Sequence, residues 1–370
     1  MMLSFGGGYV LKESAVPIKP QCSPVGIRKA EQYGISRNFS KFPTTTFQGQ
    51  VEAQRRIDHQ LLRIKRTTGD FSPDRMCAVV TGANKGIGNE IVRRLALEGV
   101  TVVLTARDEK RGSDAVSFLV KSGLENVVFH QLDVRDQSSA DSLAKYVQTQ
   151  FGKLDILVNN AGASGVVVDE EGLRALNIDP VSWLSGKATN VVQEVMQQSY
   201  KKAVECLDTN YYGCKRVTEA LLPLLKLSKS GARIVSVSSL RSELKRIPNE
   251  QLRKELGDLK NLTEEKVDKM VEKFLHDLKQ GMLEENGWSL MLPSYSISKV
   301  AVNAYTRVLA KRYPNMFINC VHPGYVNTDI NWHTGTMTVE DGAKGPVMLA
   351  LLSDGEFTGC YFDQTRMAEF

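Results

Sequence analysis

The sequence predicts a single doubly wound α/β domain over residues 71–370, built on a parallel sheet of seven strands and preceded by an extension, residues 1–70, expected to be disordered. Two observations predict the domain. From Met76 onward, short apolar runs alternate with segments of helical period, as do strands buried on both faces and the helices that cross between them. A glycine-rich loop, Thr81-Gly82-Ala83-Asn84-Lys85-Gly86-Ile87-Gly88, joins the first apolar run to the first helical one, the place where backbone amides and a helix N-terminus hold a pyrophosphate.

In chain order, strands are expected at 77–81, 102–106, 127–133, 154–159, 233–238, 316–321 and, last and short, near 359–362. Helices fill the intervals, most clearly at 87–98, 138–151, 203–225 and 296–312. A Lys- and Glu-rich insertion at about 241–290 breaks the rhythm. It carries a helix of its own: Thr263 caps it, Glu264 and Glu265 occupy its first turn, and Val267, Met270, Val271, Phe274, Leu275 and Leu278 keep the spacing of one apolar face. Such a face needs a surface to cover.

Composition narrows the function classes. The net charge is +5, but eleven Lys/Arg against five Asp/Glu in residues 1–70 account for it, so the basic balance does not point to nucleic acid. No run approaches the ~20 apolar residues that span a bilayer, so no membrane partner is expected. Six cysteines, Cys22, Cys77, Cys206, Cys214, Cys320 and Cys360, lack any paired metal or redox spacing; reduced thiols and no metal site are expected. Within residues 1–70 only 51–66 shows helix-like spacing, and the first fifty residues hold only Glu13 and Glu31 as acids. That scarcity suits a transit peptide, whereas the lack of an amphipathic, Arg-rich start suits a plain tail. The expected location is cytoplasmic, or plastid if residues 1–70 act as a transit peptide.

The chemistry lies in a few polar residues. Gly82, Gly86 and Gly88 let the backbone turn sharply and approach a cofactor. At the end of the second strand, Arg107, with Lys85 from the loop, is suited to the 2′-phosphate of NADPH, against Asp108 as the competing ribose acid of NAD. Tyr295-Ser-Ile-Ser-Lys299 places a phenol and an ammonium one helical turn apart. A free tyrosine has a pKa near ~10, and the nearby ammonium and an oxidised nicotinamide would jointly bring it to about 7. Tyr295 then serves as general acid to a carbonyl oxygen, and Ser239 hydrogen-bonds the same oxygen. Asn210, a poor helix former in a helical segment, is assigned to a water that links Lys299 to solvent. Asn159-Asn160-Ala161-Gly162 closes the fourth strand with small residues beside the adenosine, and Asp133, followed by Val134, is placed to accept from the adenine amine.

Together these residues resemble the short-chain dehydrogenase/reductase family: T-G-x-x-x-G-I-G at Thr81, N-N-A-G at Asn159, the helical Asn210, S-S ending at Ser239, Y-x-x-x-K at Tyr295 and P-G-Y-V-N-T at Pro323. The resemblance covers about 76–370 and implies a Rossmann domain. It also implies that Pro323-Gly324 lies over the nicotinamide, with Val326 and Thr328 on its carboxamide and the phosphate. The insertion, Asn210-Tyr-Tyr-Gly and Asn286-Gly-Trp288 look most like the group of plant salutaridine reductase and neomenthol dehydrogenase, relatives of the animal carbonyl reductases, which reduce terpenoid and alkaloid ketones with NADPH. Departures at Asn327, His322 and Ser289-Leu-Met-Leu leave the four polar residues untouched and bear on substrate fit.

The expected function is therefore NADPH-dependent reduction of an apolar ketone or aldehyde, catalysed by Asn210, Ser239, Tyr295 and Lys299. Its pocket is expected from the stretch after Gly162, the insertion end around Trp288, and a lid from Tyr325 to Met337 with Trp332. The rival reading is a non-catalytic NADP(H)-binding interaction protein. A monomer is expected, because the insertion helix supplies a cover for the face through which many short-chain reductases pair.

Overall fold

The computed structural model describes residues 75–352 and 357–370; the extension and its helix-like stretch 51–66 lie outside the described residues. The main strands are β1 (Cys77–Val80), β2 (Thr101–Ala106), β3 (Val127–Gln131), β4 (Ile156–Asn159), β7 (Arg233–Val237), β8 (Phe317–His322), β9 (Tyr361–Asp363) and β10 (Arg366–Ala368). A separate small pair, β5 (Val167–Val168) and β6 (Met196–Gln197), runs antiparallel. The sheet order is β10-β9-β8-β7-β4-β1-β2-β3. Seven strands run parallel as expected, and the eighth corrects the count: β10 pairs antiparallel with β9, Met367 opposite Phe362. Gln364, at φ 56°, helps turn the chain back, and a three-residue strand after so short a turn leaves too little alternation to be read from sequence.

Alternation along β1 divides the interior. Cys77 and Val79 join the apolar layer that holds Leu143, Leu221 and Ile297, while Ala78 and Val80 join the layer that holds Ile91, Leu95 and Leu349. Each face of the sheet is thus covered by helices. After β3 the chain returns past β1 to form β4 on its other side, so the carboxyl ends of β1 and β4 part at a topological switch point. The site lies there.

The insertion folds as expected, with the helix Glu264–Gln280 capped by Thr263, whose side chain accepts from the Lys266 amide. Val267, Met270, Val271 and Phe274 are buried, and Leu275 and Leu278 partly so. The helix lies across the helices Tyr200–Leu207 and Pro293–Arg312. Polar ties fix its register: Tyr211 donates to Asp268 at 2.7 Å, Lys215 reaches both Glu264 (2.7 Å) and Asp268 (2.9 Å), and Arg312 pairs with Glu264 at 3.0 Å. Among the described residues no helix is long and apolar enough to cross a membrane, and the five described cysteines are buried and unpaired.

Candidate active site

The glycine loop leaves β1 and enters the helix Gly86–Leu97 without a side-chain cap and without an acid in the first turn, so its amides face the crevice unclaimed by side chains. Its glycines are required by contact. A Cβ on Gly82, at φ 61°, would come 2.8 Å from the Ala161 Cα, and one on Gly88 would meet the Ala83 Cα and the Gly82 carbonyl at 2.9 Å. Asn160 fastens the loop from β4, donating to the carbonyls of Thr81 (2.9 Å) and Gly82 (3.0 Å), while the amides of Asn160 and Ala161 donate to the Thr81 hydroxyl. An open helix start on a backbone this close fits a dinucleotide pyrophosphate.

Around this cradle the cofactor residues divide. Asp108 caps the helix Glu109–Lys121 by accepting from the Arg111 amide at 2.8 Å, which turns it away from a ribose, and Arg107 is exposed beside it. Lys85 borders the cleft and pairs with Asp329 at its rim, and the contact holds Asp329 below the usual carboxylate range. Asp133 is also claimed by the chain, because the Arg135 guanidinium bonds both of its oxygens, at 3.2 and 2.9 Å, and depresses its carboxyl. Val134 is buried, packed beneath Gly213, with its carbonyl taken by Arg216 at 2.6 Å. Asn84 is half-buried within the loop.

A cleft of about 230 Å³ joins the cradle to Ser239, Tyr295 and Lys299. Gly82, Lys85, Gly86, Ile87, Gly88, Asn160, Gly162, Ser239, Tyr295, Lys299, Pro323, Gly324, Val326 and Thr328 all border it, whereas Asn84, Arg107, Asp133, Val134, Ala161 and Asn210 do not. Tyr295 and Lys299 share one face of the helix Pro293–Arg312, with the Lys299 Nζ 5.7 Å from the Tyr295 ring centre. Ser239, just past β7, borders the same cleft and acts on the Tyr295 phenol.

In the chain by itself, burial pushes the Tyr295 phenol up to about 12, with Ser239 and Arg241 opposing. Of the two charges invoked to lower it, only Lys299 belongs to the chain. Its ammonium donates to the Val237 carbonyl at 2.8 Å, and burial lowers it to about 8. Asn210 is likewise more occupied than expected. It sits in a π-helical turn, Asp208–Tyr212, where its side chain accepts from the Ala163 amide (2.7 Å) and donates to the Ala163 carbonyl (3.0 Å) and Ser298 (2.8 Å). A Cβ on Gly162 would lie 3.6 Å from the Asn210 Oδ1 and 3.8 Å from the Lys299 Nζ. Asn210 thus shapes the wall beside Lys299.

The cleft also has a large apolar lining, from Trp183, Leu184, Leu240, Leu292, Ile330 and Trp332. Trp332 belongs to the expected lid, but Trp288 does not reach this cleft. It is buried against Phe274, edge to face at 5.4 Å, and donates to Asp277 at 2.8 Å, fastening the insertion instead. Trp183 and Arg241 were not foreseen, although signals existed: Asp179-Pro180 opens the helix Pro180–Ser185 that carries Trp183, and Arg241 stands two residues beyond Ser239. Leu292 and Trp332 both adopt positive φ, 50° and 54°, a conformation that costs bulky residues about 1–3 kcal/mol and gathers at binding sites. His322 also borders the cleft, held neutral by a burial that lowers it to about 4.

Comparison with known proteins agrees with this geometry. The model of the short chain dehydrogenase family matches residues 76–249. The chain is 50% identical over 303 residues to short-chain dehydrogenase/reductase 1 of Saponaria officinalis, covering 81% of this chain and 98% of that one. It is 49% identical over 297 residues to (+)-neomenthol dehydrogenase of Arabidopsis thaliana, covering 79% and 97%. The solved structure of salutaridine reductase from Papaver somniferum superposes with a TM-score of 0.73 at 47% identity, covering 78% of this chain and 99% of that one. With Tyr295, Lys299 and Ser239 beside a glycine cradle and identity this high to these enzymes, the chain belongs to the short-chain dehydrogenase/reductase family, oxidoreductases that act between CH–OH and C=O groups.

Proposed function

We propose that the chain is an NADPH-dependent reductase of apolar ketones or aldehydes, terpenoid- or alkaloid-like in frame. The observation that carries this reading is that Tyr295, Ser239 and Lys299 border one cleft with the glycine cradle and a largely apolar wall. When bound, the reduced nicotinamide supplies the hydride. The chain's residues manage the oxygen and its proton. Ser239 hydrogen-bonds the carbonyl oxygen as charge develops, and Tyr295, fully protonated at neutral pH, gives it a proton. Lys299 holds a positive charge below the phenol that favours the resulting phenolate, and Asn210 fixes the Gly162–Ala163 backbone beside that charge. The aromatic and aliphatic wall excludes water from the reacting carbonyl.

Support for NADPH comes from Asp108, which is spent on a helix cap, and from the exposed Arg107 next to it. The named relatives include a carbonyl reductase [NADPH] 1 of Rattus norvegicus at 34% identity. Oxidation of NADPH against a panel of monoterpenoid, alkaloid and quinone carbonyls tests the reading. At least one apolar ketone should turn over, with NADPH favoured over NADH and the preference reduced in Arg107→Ala. Equal kcat/KM for the two cofactors would refute the NADPH choice, and cofactor binding with no turnover of any carbonyl would favour the non-catalytic rival.

A further inference from the structure

Arg241 is the one charged side chain that borders the catalytic cleft while being almost wholly buried and free of any carboxylate among the described residues, Lys299 aside. It is 8% exposed. Its guanidinium makes a single hydrogen bond, to the Trp183 carbonyl at 2.5 Å. Glu243, two residues on, is shared by Arg246 (3.0 Å) and Lys245 (3.2 Å). Arginine carries five N–H donors in a rigid fork, and the Nε and Nη1 of Arg241 have no partner among the described residues yet are not among the enclosed polar atoms, so they are open to a ligand in the adjoining cavities. Burial, and Arg246 nearby, lower Arg241 to about 10, so it still carries its charge at neutral pH.

Its position gives those donors a use. Arg241 borders the cleft and donates to the carbonyl of Trp183, itself part of the apolar lining, so it stands among the apolar residues of the wall. A second cavity, of about 670 Å³, borders its other side. The surrounding wall of Trp183, Leu184, Leu240 and Leu292 is apolar, and a planar fork in such a wall selects a carboxylate in bidentate geometry. We propose that Arg241 is the specificity-determining residue of this site and receives a carboxylate carried by the substrate, so that the preferred substrate is a keto acid with an apolar frame. This rests on the carbonyl-reductase reading above and names the substrate class for it.

A matched pair tests it: one cyclic keto acid and its methyl ester, reduced by the full chain with NADPH, beside a neutral cyclic ketone as reference. The acid should exceed the ester in kcat/KM by about tenfold or more, mainly through KM, as expected for one charge-assisted contact. The ratio should fall toward one in Arg241→Met and recover in part in Arg241→Lys. An ester reduced as well as the acid by the unmutated protein overturns the proposal, as does a ratio unchanged in Arg241→Met. Weaker NADPH binding by Arg241→Met in the same proportion would assign the residue to the cofactor and overturn it too. Should Arg241→Met not fold, the unmutated protein decides the matter. The saturated, non-reducible carboxylate should inhibit reduction of the neutral ketone competitively and its methyl ester should not; equal inhibition refutes the proposal. Reduction of the neutral ketone with rejection of the acid defeats this inference alone, whereas no reduction of any of the three defeats the reading beneath it.

Discussion

At the scale of single residues, the phenol of Tyr295 and the ammonium of Lys299 are pushed by burial in opposite directions, to about 12 and about 8. Both shifts favour the neutral form. Tyr295 is therefore a proton donor throughout the neutral and mildly alkaline range, and Tyr295→Phe, which keeps the ring and its packing, should lower carbonyl reduction at least about 10²-fold, the lower range for a general acid. NADPH should still bind. Turnover within tenfold of the unmutated protein would sink the assignment. Lys299 sets the pH response. It is charged below about 8 and loses its proton above, so kcat/KM for reduction should fall as pH rises through 8, while the phenol remains protonated. In Lys299→Arg, whose charge persists, that alkaline limb should move upward, and a limb that stays in place would show that another group titrates there. The linkage for stability has the opposite sign. Because the folded value lies below the unfolded 10.5, the unfolded chain binds more protons between about 8 and 10.5, so Lys299 costs stability below that window and the cost is relieved across it.

At the scale of elements, what the sequence revealed depended on how strongly a residue pattern constrains the backbone. The helix Glu264–Gln280 was legible because a capping threonine, two first-turn acids and an apolar face all agree, and the structure buries that face. The parallel strands were legible as apolar runs, whereas β10 was too short to show one. The stretch from 163 to 199 was less so: it folds as the β5–β6 pair and short helices capped by Asp169 and Asp179, elements of two to six residues whose periods barely complete. At the site, the residue types could be read, but their partners could not. Lys85 with Asp329, 244 residues further on, is a fact of distance that no spacing along the chain encodes. The energetics of the insertion can be checked at Phe274, which is fully buried against Trp288. Phe274→Ala should cost about 3–5 kcal/mol of unfolding free energy in denaturant titration, the range for a large aromatic removed from a core. A loss below about 1 kcal/mol would mean that the insertion contributes little to the fold.

At the scale of the whole molecule, the insertion decides what the outer face of the helices Tyr200–Leu207 and Pro293–Arg312 can do. Burial of Val267, Met270, Val271 and Phe274 contributes on the order of 1.5–3 kcal/mol per side chain before entropy, and the ties from Tyr211, Lys215 and Arg312 hold the cover in one register. A second copy docking on this face would have to displace the cover, break those ties and expose Trp288. It would recover at best a similar apolar area and would also lose the translational and rotational freedom of association. The in-chain contact therefore wins, because its segments are already linked. The chain should be a monomer, with light scattering at micromolar concentration giving the sequence mass of 41.1 kDa. A value of twice that mass would refute the argument if a substitution on the exposed side of the helix Glu264–Gln280, such as Lys269→Glu, then returned it to one, since the cover itself would be the interface. Twice the mass unaffected by that change would place the pairing elsewhere and equally refute the monomer.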